Sequence, residues 1–344
     1  MRKSLAIKYR PKTFEDVCGQ NITVEILKRV VAKKAFSNCL LFAGNSGCGK
    51  TTLARILADQ INEGEGAPIE MDCASVGNVD TIRSLIESAY ERSLDSKYKI
   101  FILDECHAIT SQGWQAFLKC IEEPPVYSIF MFCTTEPHKI PATILNRVQR
   151  YNISKIDTAI IYDRLIKVCQ LENFTNYEAT CDLISKLSQG CMRDALTMLD
   201  QCADYSEDLN IVNTEKIIGK ISYQVMLKLT KFIWTKDEAK IFAVIESLDS
   251  TGTDLKQFVS LYLDFALDLT KFYIFNNIYA TALPQYLLNE ADPEINIVEV
   301  VKSINNLSWF NGLIEYLLEL KSLVKFDDNI KSTIEAYLVR FCRG

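Results

Sequence analysis

A glycine-rich stretch between a buried apolar run and a helical pattern constrains this chain more than any other feature. The apolar residues 39–43 predict a strand, and residues 51–61 have helical spacing. The stretch between them matches the phosphate-binding pattern G-x-x-x-x-G-K-[ST] at every fixed position. It consists of Gly44, Asn45, Ser46, Gly47, Cys48, Gly49, Lys50, Thr51 and Thr52. The alternative, a glycine-rich turn with a chance lysine, is disfavoured by the flanking strand and helix.

The residue types in this loop suit a nucleotide. Glycines let backbone N–H groups converge on the β- and γ-phosphates, and the helix N-terminus adds partial positive charge. The ammonium of Lys50 can contact the same oxygens, and the Thr51 hydroxyl suits Mg²⁺. The loop therefore predicts a nucleotide site with magnesium.

A second apolar run ends in two adjacent carboxylates. Residues 99–103 predict a buried strand, which delivers Asp104 and Glu105 to the edge of a sheet. Asp104 can order a magnesium-bound water, and Glu105 can act as general base on the attacking water. An Asp-Glu pair at a strand end is unremarkable alone, but together with the phosphate loop it indicates an ATPase.

Composition limits the class of protein. The 344 residues are 48% hydrophobic and 24% charged, with a net charge of −6, which is typical of a globular protein. No apolar run of membrane-spanning length and no signal-peptide core is visible, so we expect a cytoplasmic protein without membrane contact. The 12 cysteines lack paired metal spacing and predict reduced thiols. Basic residues are concentrated in residues 1–55, so one face can still meet nucleic-acid phosphate.

Strands alternate with helices up to residue 153, which predicts a five-stranded parallel sheet with helices on both faces. Residues 154–219 are predicted to form a smaller helical domain, and residues 220–344 an all-α domain. The predicted helices of the first domain include one that starts near Asn21 and one over residues 78–94.

The residues before the first predicted helix leave two interpretations open. Pro11 keeps this stretch extended, and Tyr9, Phe14 and Val17 are apolar enough to dock. The arm either covers the domain or holds the base of a nucleotide. On the second interpretation Tyr9, Arg10 and Val17 bind the cofactor.

Several motifs together resemble one family, the gamma/tau ATPase subunit of the bacterial DNA polymerase III clamp loader. The resemblance covers residues 3 to about 220. It rests on residues 9–11, 14–17 and 20, the phosphate loop, and residues 104–107, 118–125, 134–141 and 190–196. It implies an AAA+ module, a helical lid and a helical collar that joins subunits in a ring. Such an assembly uses ATP to open a sliding clamp and place it on primer–template DNA.

The resemblance also implies residue roles. Thr135, rather than Thr134, corresponds to the sensor that hydrogen-bonds near the γ-phosphate, and Arg193 corresponds to a second sensor on the lid. Arg147 matches the arginine offered in trans to a neighbouring subunit's nucleotide. The alternative for Arg147 is a helix cap or a pair with a nearby carboxylate.

The chain departs from the family at two sites. Residues 62–68 contain no cysteine where bacterial members carry a zinc module, so we expect no zinc. A Ser-Arg-Cys triplet is replaced by Asn146, Arg147 and Val148. Together with the absence of a tail after Gly344, these features suggest a compact member of bacterial or phage origin.

Two rival functions stay open. One is a structural ring subunit that does not hydrolyse ATP, which the presence of Lys50, Asp104 and Glu105 disfavours. The other is a different DNA-associated AAA+ machine, such as a helicase or helicase loader. The resemblance further implies that the stretch from Ser75 to Arg83 contacts the DNA phosphate backbone inside the ring, without reading sequence. The alternative is that Arg83 is a solvated helix charge.

Overall fold

The computed structural model describes residues 3–218, 223–278, 281–288, 296–327 and 329–343. The strands are β1 Cys39–Gly44, β2 Ile69–Asp72, β3 Lys99–Asp104, β4 Ser128–Thr134 and β5 Gln149–Ile153. The helices are α1 Leu5–Lys8, α2 Asn21–Ala32, α3 Lys50–Ile61, α4 Cys73–Val76, α5 Val79–Ala89, α6 Ser111–Glu122, α7 Ala142–Leu145, α8 Thr158–Glu172, α9 Glu178–Leu187, α10 Met192–Tyr205, α11 Ile211–Ile218, α12 Tyr223–Trp234, α13 Glu238–Ser250, α14 Leu255–Phe275, α15 Ile297–Ile304, α16 Leu307–Val324 and α17 Ile330–Arg343.

The chain divides into two compact units, of which the first contains the sheet. This unit comprises Met1–Val168 and Leu187–Asp200. All strand pairs are parallel, and the strand order is β2-β3-β4-β1-β5. The predicted α/β class with a five-stranded parallel sheet is therefore confirmed. In this order β4 lies between the strand that precedes the phosphate loop and the strand that ends at Asp104.

Both faces of the sheet are buried, because successive strand side chains point to opposite faces. Leu40 and Phe42 of β1 pack into one hydrophobic core with α3. Cys39 and Leu41 of the same strand pack into the other core, with residues of α5 and α6. A continuous apolar strand between two helical layers fixes the position of the loop that leaves its carboxyl end.

The helix expected to start near Asn21 does start there, as α2, but it is not the first helix of the chain. The chain begins its helical structure at α1, before the expected first helix at Asn21, because Leu5 is wholly buried and a single turn suffices to place it. One turn is too short to produce a periodic pattern. The helix expected over residues 78–94 ends at Ala89, and Leu94, counted as helical, is fully exposed.

The second unit comprises Cys169–Lys186 and Gln201–Gly344. Where the structure describes this unit, its regular elements are helices, and one isolated bridge links Thr175 to Asp208. Its main hydrophobic core runs through α12 to α17 and centres on large side chains such as Phe258, Tyr262 and Phe310. Within the described ranges, no helix combines the length and apolarity that a membrane crossing requires. The three-domain division at residues 153 and 219 stays a prediction, and the second boundary lies outside the described residues.

Candidate functional site

The phosphate loop connects β1 to α3, so the N-terminus of α3 lies at the carboxyl edge of the sheet. Lys50, the first residue of the helix, is only 5% exposed, and its ammonium donates to the Asn45 carbonyl at 2.9 Å. A lysine is rarely so buried unless its charge is paired or solvated by polar atoms. The loop therefore holds a buried cation beside its own backbone.

Gly47 shows why this loop requires glycine. Its φ is +64°, a conformation that side chains disfavour, and an added Cβ would lie 2.0 Å from the Cys191 sulfur. The neighbouring Cys48 thiol donates to the Gly190 carbonyl at 3.5 Å. The tip of the loop is therefore packed directly against the residues that precede α10, which bring Arg193 to the same place.

Two carboxylates with different partners end β3. The Thr51 hydroxyl donates to Asp104 Oδ2 at 2.7 Å, which ties the phosphate-loop helix to the strand. Glu105 adopts a left-handed backbone conformation with φ of 46°, and its carboxylate accepts from the Thr135 hydroxyl at 3.2 Å. The predicted metal, base and first sensor residues are thus side by side at the carboxyl edge.

A cavity of about 420 Å³ adjoins the loop. Predicted site residues that line it are Tyr9, Arg10, Val17, Gly47, Cys48, Gly49, Lys50, Thr51, Thr52, Asp104 and Arg193. The remaining predicted residues lie outside this lining and are Gly44, Asn45, Ser46, Glu105, Thr135 and Arg147. The cavity thus joins the N-terminal arm, the loop and the start of α10.

Cations converge on this cavity. Arg10 is half-buried and donates through Nε to the Thr52 hydroxyl at 3.1 Å. Burial lowers the pKa of Arg10 below its usual value, and the charge of Arg55 lowers it further. With Lys50 and Arg193 also in the lining, the cavity suits a polyanion, since cations that repel one another are stabilised by a bound anion.

The arm is anchored by a residue that the sequence did not indicate. Arg164 of α8 donates to the Tyr9 carbonyl at 3.1 Å and lines the cavity. Cys18, Ile156, Leu196 and Thr197 line it as well. No local motif marks these residues, because each lines the cavity only through the way its segment packs beside the phosphate loop in the folded chain.

Arg147 lies elsewhere in the first unit. Its guanidinium pairs with Glu122 at 2.7 Å and donates to the Thr143 carbonyl of α7 at 2.8 Å. Both parts of the alternative interpretation, a carboxylate pair and a helix-end contact, are therefore present. Arg147 and Glu122 are 39% and 49% exposed, so the guanidinium is accessible on the surface.

Two side-chain oxygens, one at the start of α3 and one at the end of β3, fit magnesium. Mg²⁺ prefers hard oxygen ligands and binds proteins through one or two of them plus phosphate and water. The Thr51 hydroxyl and Asp104 carboxylate provide such oxygens within contact of each other. Across the described ranges, no group of three or more His, Cys, Asp or Glu could hold a metal ion. The expectation of no zinc stays a prediction.

Comparison with known proteins identifies relatives. The profile of the family described as DNA polymerase III, delta subunit, matches residues 68–157. DNA polymerase III subunit tau of Bacillus subtilis is 34% identical over 269 residues, which are 72% of this chain and 48% of that protein. The gamma/tau subunit of Mycoplasma genitalium is 32% identical over 275 residues, covering 73% and 46%. The chain spans about half the length of the curated relatives it matches.

Solved structures support the fold. RuvB of Thermotoga maritima, a Holliday junction branch migration motor, aligns with a TM-score of 0.51 and 18% identity, covering 65% of this chain and 79% of that one. At this identity the likeness concerns the fold alone, which is the AAA+ fold that the sequence motifs imply. The resemblance stated from those motifs is confirmed, and the chain is a homologue of the gamma/tau subunits of bacterial DNA polymerase III.

Proposed function

We propose that this chain is an ATPase subunit of a DNA polymerase clamp loader. The observation that carries the proposal is the arrangement at the carboxyl edge of the sheet, where Thr51 contacts Asp104 and Glu105 contacts Thr135. These contacts, next to the buried Lys50, support a magnesium site at Thr51 and Asp104 and a base with its sensor at Glu105 and Thr135.

Each residue has a defined task in this proposal. The loop amides, Lys50 and Arg193 bind the β- and γ-phosphates, and Glu105 orients and deprotonates the attacking water. Magnesium, held by Thr51 and Asp104, would neutralise charge on the phosphate oxygens. Thr135 reports the γ-phosphate to Glu105 through their hydrogen bond of 3.2 Å.

The arm supplies the base site in this proposal. Tyr9, Arg10 and Val17 line the cavity beside the phosphate loop, and Arg164 fixes the Tyr9 carbonyl. An apolar wall with a few polar groups is what an adenine ring needs. We therefore assign ATP rather than a small anion to the cavity.

The proposed partners are a sliding clamp, primer–template DNA and other loader subunits arranged in a ring in the cytoplasm. For DNA, the helix α5 begins at the Asn78 cap, and Arg83 is 65% exposed beside Asp80 at 3.6 Å. Contacts of Arg83 to the DNA phosphate backbone would give binding that does not depend on base sequence and weakens steeply with salt.

Domains at 1–153, 154–219 and 220–344 would form the AAA+ module, the lid and the collar. Magnesium is proposed as the metal, without zinc.

The ATPase assay separates this proposal from its rivals. Hydrolysis is measured for the chain assembled with its cognate loader subunits, with and without the sliding clamp and primed DNA. We expect turnover that rises when both are present. Turnover that is absent in every condition would favour a structural ring subunit, and turnover that responds to DNA but never to the clamp would favour a helicase or helicase loader.

A further inference from the structure

A histidine lies between two carboxylates beside the proposed base. His107 belongs to a short 3₁₀-helix, Cys106–Ala108, that directly follows Glu105. Its Nδ1 is 3.3 Å from Glu105 Oε2, and its Nε2 is 3.3 Å from Glu136 Oε2. The imidazole therefore joins the end of β3 to the segment that follows β4.

The ring is itself held from several sides. Its Nδ1 lies 3.1 Å from the hydroxyl of Thr134, which is wholly buried and accepts from the Glu136 N–H at 3.0 Å. Glu136 also pairs with Lys139 at 2.6 Å. The hydrogen bond from Lys139 lowers the pKa of the Glu136 carboxyl, which keeps it ionised and able to accept. The imidazole is only 18% exposed.

These contacts converge on one oxygen of Glu105. Oε2 accepts from the Thr135 hydroxyl at 3.2 Å and lies 3.3 Å from His107 Nδ1. A glutamate has several rotatable bonds, and each unrestrained torsion costs entropy when the carboxylate must reach one position. Two partners on the same oxygen restrict those torsions before the nucleotide binds.

We propose that His107 is a positioning residue for Glu105, held in register by Glu136 and Thr134. The inference rests on the proposed function, because it matters only if Glu105 acts on the attacking water. The base must be aligned closely with that water, and a displacement of about 1 Å can cost about 10²-fold in rate. His107 would supply this alignment without contacting the nucleotide.

Three substitutions at this position separate the two sides of the ring. The amide nitrogen of Asn lies the same number of bonds from Cβ as Nδ1, so His107→Asn keeps a polar nitrogen at the position that faces Thr134 and Glu105. The amide nitrogen of Gln corresponds to Nε2, so His107→Gln keeps only the contact with Glu136. His107→Ala removes both. His138, the other histidine of the chain, is exposed and provides His138→Ala as the matched control.

The expected pattern is a loss in kcat with unchanged nucleotide affinity. His107→Ala and His107→Gln should lower kcat about 10- to 100-fold, by misplacing the base, while His107→Asn restores most of the turnover. Affinity for a non-hydrolysable ATP analogue and the thermal midpoint should stay near those of the wild type. Adding His107→Ala to Glu105→Gln should cost little further, because the histidine acts through the glutamate.

The outcomes distinguish failure of the inference from failure of the proposed function. Turnover that is absent in the wild type under every condition would remove the proposed function, whereas full turnover in Glu105→Gln would remove only the assigned base on which the role of His107 depends. A slow Glu105→Gln beside a fully active His107→Ala would overturn only the role of His107. Equal rescue by Asn and Gln, or loss of nucleotide affinity and folding in every variant, would also overturn it, since His107 would then only support the loop.

Discussion

At the scale of single residues, the two adjacent carboxylates at the end of β3 have different surroundings. Asp104 faces the phosphate-loop helix through Thr51, and its Oδ1 also accepts the Glu105 N–H at 3.0 Å. The left-handed conformation of Glu105 turns the chain at this point, and its side chain meets Thr135. A strained backbone beside a candidate base is typical of sites where geometry matters more than local stability.

This division predicts a separation of binding from turnover. Glu105→Gln should leave ATP affinity nearly intact and slow hydrolysis about 10²- to 10⁴-fold, because the amide cannot accept the proton of the attacking water. Lys50→Ala should instead weaken ATP binding, since it removes the buried cation of the loop. Equilibrium binding of labelled ATP and steady-state phosphate release measure the two effects. Equal turnover in Glu105→Gln and the wild type would contradict the assignment.

Sequence reasoning identified the residue types of the site but not all of their pairings. The phosphate loop and Asp104 follow from local patterns, because a strand end and a helix start are close in sequence to the residues they place. His107 and Glu136 are separated by a strand and a helix and meet only through the register of β3 and β4. Arg164 likewise meets Tyr9 across 155 positions, and no local signal encodes such a contact.

At the scale of elements, the phosphate loop packs directly against the residues at the start of α10. The Cys48 thiol reaches the Gly190 carbonyl, and the Gly47 Cα faces Cys191 without room for a methyl group. Burial raises the pKa of the Cys191 thiol to about 11, which keeps it neutral in this contact. A larger side chain at the loop tip should therefore displace the segment that carries Arg193.

Gly47→Ala tests that packing. The added Cβ would lie 2.0 Å from the Cys191 sulfur, in a backbone conformation that L-residues disfavour. We expect weaker ATP binding together with lower stability. Gly64→Ala is the matched control, because Gly64 also has positive φ but no atom lies within 4 Å of its added Cβ. Gly64→Ala should show only the conformational cost of about 1 kcal/mol.

The comparison is read from thermal unfolding and ATP affinity of both variants. Replacing Cys191 with Gly in the Gly47→Ala background should recover part of the lost affinity by removing the clashing sulfur. Identical behaviour of Gly47→Ala and Gly64→Ala would mean that the loop tip and the start of α10 are not coupled.

At the scale of the whole molecule, the cysteines are a structural component of both units. All 12 are free, and 11 of them are buried while Cys18 is partly exposed. Burial raises the pKa of the Cys39 and Cys73 thiols to about 12 and that of Cys120 to about 11. Because only the thiolate reacts, these groups stay inert while the protein is folded.

A thiol titration checks this distribution. At about pH 8, Ellman's reagent should modify the native protein slowly and chiefly at Cys18, whereas urea should release all 12 thiols. The thiol pKa values are higher in the folded protein than in the unfolded chain. The free energy of unfolding should therefore fall as pH rises from the ordinary thiol pKa of about 9 toward about 12, because the thiols of the unfolded chain ionise first. Cys18→Ser should remove the early reaction. Rapid modification of several thiols in the native protein would contradict the buried arrangement.

Arg147 belongs to the scale of the assembly, because its proposed role needs a neighbouring subunit. An arginine supplied in trans stabilises charge on the transferred phosphoryl group, and such fingers contribute about 10³- to 10⁵-fold in rate. The guanidinium here is held by Glu122 and the Thr143 carbonyl while remaining 39% exposed. An exposed ion pair contributes about 0–1 kcal/mol, so breaking it should not prevent folding.

Arg147→Ala should therefore fold, bind ATP normally as an isolated chain, and lose clamp- and DNA-stimulated hydrolysis in the complex. Glu122→Gln is the matched control, because it removes the same ion pair and leaves the guanidinium in place; it should keep the stimulated rate. Mixing Arg147→Ala with Lys50→Ala subunits is the decisive comparison, since the intact arginine of one subunit can then serve the intact loop of its neighbour. If Arg147→Ala alone retains full stimulated hydrolysis, the pair with Glu122 is structural, and Asn146 and Val148 flank an arginine without a role in trans.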